Sequence, residues 1–138
     1  MTETHEGSCL CGGVTFRIEG SFQGFFLCHC SRCRKATGSA HASNLFSTTA
    51  KVSWLTGEEL LVHYDVPGTR HSRCFCKACG SPLPNVQPEH GRVLVPAGCL
   101  NTPVEIKPNA HIFTASRANW DDRLEEVVSF DTLPPGLG

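Results

Sequence analysis

The sequence predicts an all-β domain, mostly short strands with brief helical turns, and three features point there. The 138-residue chain spreads 13 glycines and nine prolines along its length, which leaves few stretches long enough for a helix. Its apolar residues come in short runs, the clearest of which alternates with polar residues as a strand with one buried face requires. Eight of the nine cysteines gather in tight groups, the spacing by which a metal ion pins short segments together.

Taken in order, Val14, Phe16 and Ile18 alternate with Thr15, Arg17 and Glu19 and define the first strand. Further short strands are expected at 51–55, 60–64, 92–95 and 111–114, each set off by a glycine- or proline-bearing turn. The best helix is brief, with Ser31 as N-cap, 32–37 as its body and Gly38 as its stop. A second helical turn is expected after Asn119, and residues 133–138 read as a frayed end. Trp54 and Trp120 read as packing residues.

The length suits one domain spanning residues 1–138. Apolar residues make up 40%, enough for a core, while charged residues are only 18% against about 25% in an average domain. A net charge of -1 and a pI of 6.6 speak against a nucleic-acid or anionic-membrane binder, whose affinity comes from clustered positive charge. No apolar run approaches the about 18 residues of a membrane span, and the opening from Met1 to Glu6 has neither a basic start nor an apolar stretch, so a cytoplasmic protein is expected. In a reducing cytosol nine thiols, an odd number, fit metal binding better than a disulfide framework.

The cysteines carry the chemistry. Cys28-His29-Cys30-Ser31-Arg32-Cys33 and Cys74-Phe75-Cys76-Lys77-Ala78-Cys79 share the pattern C-x-C-x-x-C, with flanks too different for a repeat architecture. Cys76 and Cys79 form a knuckle closed by Gly80, and Cys9 and Cys11 project to one face of an extended segment. Those four could make a closed, structural zinc site, leaving Cys28, Cys30 and Cys33 as a tripod with an open fourth position, the form in which zinc does chemistry. Spacing equally allows Cys9 and Cys11 to join the first cluster and leave the second open. A redox C-x-x-C is the poorer reading, since no βαβ pattern surrounds either pair.

These segments resemble one family. Cys9-Leu10-Cys11-Gly12-Gly13, the run from Cys28 to Lys35, and Phe75-Cys76-Lys77-Ala78-Cys79-Gly80 are similar to the motifs of the glutathione-dependent formaldehyde-activating enzymes, also called the Gfa or centromere protein V domain family. Pro96-Ala97-Gly98-Cys99-Leu100, His111-Ile112 and the segment from Ser116 to Trp120 resemble its later motifs, so the likeness covers about residues 7–130. The resemblance implies Mss4-like coiled β-sheets and two zinc ions per chain. One is structural on Cys9, Cys11, Cys76 and Cys79; the other is catalytic on Cys28, Cys30 and Cys33. Cys74 and Cys99 fall where the family needs no cysteine and read as small packing thiols. Cys74, two residues before Cys76, is the candidate for a substitute ligand.

The implied activity is that of a carbon-sulfur lyase, condensing glutathione with formaldehyde to S-hydroxymethylglutathione. Three thiolates leave zinc with a net negative charge, better suited to holding a substrate thiolate than to making hydroxide. The carboxylates of glutathione call for a cationic anchor, for which Arg32, Arg34 and Lys35 are candidates, although a solvated basic turn would look the same. His29 and His41 are candidate proton shuttles or, more plainly, supporting groups. Two other classes fit the residues: a zinc enzyme acting on another carbonyl or imine compound, and a non-catalytic scaffold that binds zinc or glutathione. Oligomeric state leaves no mark on the sequence.

Overall fold

The computed structural model describes residues 3–137; Met1 and Thr2 of the opening segment and Gly138 of the expected frayed end lie outside them. Among the described residues, eleven short strands, one α-helix and several 3₁₀ turns make a mostly β fold of three sheets. The first sheet joins β1 (Thr4–Ser8), β2 (Thr15–Glu19) and β5 (Lys51–Thr56) in the order β1-β2-β5. The second contains β3 (Gly24–Cys28), β4 (Ala42–Ser47), β9 (Asn85–Gln87), β10 (Arg92–Pro96) and β11 (Ala110–Ile112), ordered β11-β3-β4-β10-β9. The third is β6 (Leu61–Asp65), β7 (Ser72–Cys76) and the two-residue β8 (Pro82–Leu83).

The alternation in β2 works as the sequence predicts. Phe16 and Ile18 are buried with Val14, and Phe16 meets Trp54 of β5 edge-on at 5.7 Å. They join Phe25, Leu45, Leu83, Val93 and Val95 in one core, which also takes in the thiols of Cys9, Cys74 and Cys76. A second, smaller cluster holds Cys28, Cys33 and Ala42 at one end of the β3–β4 pair. Cys33 joins this smaller cluster from the helix.

Several expectations shift. The helix α1 (Ser31–Thr37) has Cys30, not Ser31, as its N-cap, because the Cys30 sulfur accepts a hydrogen bond from the Cys33 N–H at 3.3 Å. Gly38 ends it at φ 67°, donating its N–H to Arg34 O. The strand expected at 111–114 is Ala110–Ile112 and stops at Phe113, which takes φ 56°. After Asn119 the chain makes a turn, closed by Asp121 N–H on Ala118 O, and not a helical turn; short 3₁₀ helices lie on either side at Thr114–Ser116 and Leu124–Glu126. That turn buries Ala118 and leaves Trp120 57% exposed, so Trp120 is no packing residue. Strand β1 escapes a hydropathy reading because its buried positions are His5 and Gly7, the first held by Thr102 Oγ1 at 2.9 Å. No helix among the described residues is long and apolar enough to cross a membrane.

Candidate functional site: two thiol clusters and an arginine-rimmed cleft

Cys9 and Cys11 leave β1 in a tight turn, with the Gly12 N–H bonded to Cys9 O, while Cys76 ends β7 and Cys79 follows three residues on. Gly80 turns the second knuckle at φ 76°, its N–H on Cys76 O at 2.7 Å, as that position requires of a glycine. Leu10 N–H donates to Ser81 Oγ at 2.8 Å and clips the two knuckles together across 71 residues. The four sulfurs all lie within 4.8 Å of one another, Cys9 to Cys11 at 3.5 Å and Cys11 to Cys76 at 4.0 Å. Tetrahedral coordination at about 2.3 Å per sulfur places ligands about 3.8 Å apart, so this donor set fits a metal ion. Backbone N–H groups of Val14 and Ala78 donate to the sulfurs of Cys9 and Cys76 at 3.2 and 3.3 Å, and hydrogen bonds lower the Cys9 thiol against its burial. Cys79 is held down to about 5, chiefly by the Ser81 hydroxyl 3.2 Å away. The pairing that spacing left open is therefore Cys9 and Cys11 with Cys76 and Cys79.

Cys28 ends β3, Cys30 caps α1 and Cys33 lies in its first turn, and their sulfurs also fall within 4.8 Å of one another. Burial pushes the thiols of Cys28 and Cys33 up. At Cys30 burial is outweighed by hydrogen bonds, the Cys33 N–H foremost, and its thiol is lowered. Three sulfurs this close cannot all ionise without a cation between them, so the set fits a metal ion with one position left for something else. Cys74 and Cys99 join neither group among the described residues; both pack with the core, and burial raises them to about 11 and 12.

The three-thiol cluster lies on a cleft of about 490 Å³. Three arginines rim it: Arg32 from α1, Arg70 from the turn before β7, and Arg92 from the start of β10. Of the cationic anchors expected from sequence only Arg32 lines the cleft; Arg34 and Lys35 lie further along α1, outside it. Arg92 is fixed, its Nε donating to Gln87 Oε1 at 2.6 Å while Gln87 Nε2 donates to Ser72 Oγ. Phe46, Leu94, Ile112 and Phe113 supply apolar walls. His71, also on the cleft, is lowered from the ordinary histidine value by burial and by the charges of Arg32 and Arg73, and stands neutral at pH 7.

His29 and His41 do not line the cleft. His29 is 3% exposed, with Nδ1 3.0 Å from Asp121 Oδ2 and Nε2 2.8 Å from His111 Nδ1, and the His41 ring lies 5.0 Å away. Contacts to both Asp121 and His111 let His29 brace the cysteine loop against the C-terminal segment. Arg70, His71, Gln87, Arg92, His111 and Asp121 were not singled out from sequence as site residues, because strand pairing, not local spacing, brings them to the cleft and its brace.

Residues 4–116 match the sequence profile of the family described as glutathione-dependent formaldehyde-activating enzyme. The chain belongs to this family. A Halomonas elongata protein, provisionally named a glutathione-dependent formaldehyde-activating enzyme, is 32% identical over 126 residues, covering 83% of this chain and 78% of its own. The crystal structure of a Rhodobacter sphaeroides protein shares the fold with a TM-score of 0.53 at 22% identity, across 77% of this chain and 98% of its own.

Proposed function

We propose that this family member is a zinc-dependent enzyme of the carbon-sulfur lyase class that adds the thiol of glutathione to formaldehyde, giving S-hydroxymethylglutathione. The observation that carries the reading is the placement of Cys28, Cys30 and Cys33 on a cleft rimmed by three arginines, since the substrate pairs a thiol with two carboxylates. Cys9, Cys11, Cys76 and Cys79 would hold a structural zinc, and Cys28, Cys30 and Cys33 a second one open to the cleft. When bound there, zinc supplies a cation that keeps a substrate thiol deprotonated at neutral pH.

The chain's own residues do the rest. Arg32, Arg70 and Arg92 anchor carboxylates, Arg92 with its guanidinium already oriented by Gln87. Phe46, Leu94, Ile112 and Phe113 keep water from the reacting carbon. Neutral His71 is placed to take up or return the proton that passes between thiol and carbonyl oxygen. Holding both reactants together lowers most of the barrier, because formaldehyde is already electrophilic.

The test is consumption of formaldehyde by glutathione in the presence of protein carrying two zinc ions per chain. Acceleration over the uncatalysed mixture that Cys30→Ser abolishes supports the reading. Binding of glutathione without acceleration would identify a carrier instead, and no binding at millimolar glutathione would point to a zinc enzyme for another carbonyl or imine compound.

A further inference from the structure

A second, smaller cavity of about 110 Å³ opens beside the cleft. The two share Cys33, Asn44, His71, Ser72 and Leu94 in their walls, so the recess is a side chamber of the candidate site. Its volume is several times the about 10–15 Å³ that one water needs. Its apolar lining comes from Ala36 of α1, Ala42 of β4, Leu83 of β8, and Leu94 and Pro96 of β10. Ala36 lies one helical turn after Cys33, on the same face of α1, and its small side chain keeps the chamber open.

Formaldehyde has only hydrogens on its carbonyl carbon and gives such a chamber nothing to hold. We propose that, besides formaldehyde, the protein takes aldehydes that carry a short apolar substituent, a small alkyl group or ring, seated in the recess beside Cys33. This deepens the reading above and rests on it: a thiol is still added to an aldehyde in the same cleft. In the step, the sulfur-carbon bond forms, the carbonyl π bond opens, and the thiol proton ends on the oxygen as a hydroxyl. The substituent stays on the carbon and needs only space. A chain entering the recess leaves water and regains the dispersion contacts that an unfilled apolar wall lacks.

The experiment uses zinc-loaded protein and two readouts. Binding of S-alkylglutathiones, from S-methyl to S-pentyl, is measured by calorimetry as stand-ins for the adducts. Affinity should rise about fourfold with each methylene until the recess is filled. Ala36→Leu should flatten that rise. In turnover with glutathione, kcat/KM for butanal relative to formaldehyde should fall at least tenfold in Ala36→Leu. A flat series in the unsubstituted protein, or a rise that survives Ala36→Leu, overturns the inference. If formaldehyde is consumed in the same protein, the proposed reaction stands without it. If no aldehyde is consumed and no S-alkylglutathione binds, the thiol-addition reading fails and takes this one with it.

Discussion

Gln87 decides where the Arg92 guanidinium points, and on the proposed reading that orientation lets Arg92 recognise a carboxylate better than a free surface arginine would. The entropy of ordering that long side chain is already lost before substrate arrives. A charge-assisted contact of this kind contributes about 1.5–3 kcal/mol. Arg92→Gln should therefore raise the KM for glutathione about tenfold or more and change kcat much less, as steady-state kinetics with varied glutathione will show. A fall in kcat with unchanged KM would place Arg92 outside substrate binding. His71 makes a different signature. Burial first, then Arg32 and Arg73, hold its pKa below 6.5, so it is neutral through pH 7 and gains a proton only on the acid side. The kcat at saturating glutathione should stay level through neutrality and drop below pH 6.5. Arg32→Gln removes one depressing charge and should move that limb toward higher pH, and His71→Gln should erase it.

Among the elements, the proposed function gives the two knuckles and α1 separate jobs. Cys79→Ser takes a donor from the cluster that joins the end of β1 to the end of β7, so folding and metal binding should fail together. Cys30→Ser removes a donor from a local loop and should leave a folded chain. Thermal melting should rank them clearly, with Cys79→Ser lowering Tm by roughly 10 °C or more and Cys30→Ser by little. The reverse order would exchange the structural and chemical roles of the clusters. Elements with a local rule behind them were legible in the sequence. Strand β2 has its alternation, α1 has its glycine stop, and each cysteine group has its spacing. The cap moved from Ser31 to Cys30 because a sulfur in the cluster does the work a hydroxyl usually does. Strand β1 had no such rule to betray it, since burying His5 depends on Thr102, far along the chain. The cleft was least legible, because Arg70 and Arg92 reach it through strand order and nothing near either residue marks it.

At the scale of the whole molecule, the two donor sets differ in what they hold together. A mild chelator should remove one ion per chain, from the three-thiol site, with the circular dichroism spectrum intact; loss of the second should coincide with unfolding. Simultaneous loss would mean that the sites are not independent. The parallel pairing of β11 with β3 has a consequence of another kind. Ile112 lies beside Cys28, and its carbonyl accepts the His29 N–H at 2.9 Å, so one wall of the cleft is made from chain that leaves the ribosome long after the thiols do. The β1-β2-β5 sheet has all its strands once Thr56 has emerged, whereas the three-thiol loop must wait for residues 110–112 and the turn that brings Asp121 to His29. Contacts between such distant segments form slowly. For that interval Cys28, Cys30 and Cys33 stand without their finished wall, open to oxidants and stray metal ions. The three-thiol site is in this sense the last part of the protein to be born, and its yield in a cell should depend on how reducing the surroundings are during synthesis more than on the stability of the finished fold.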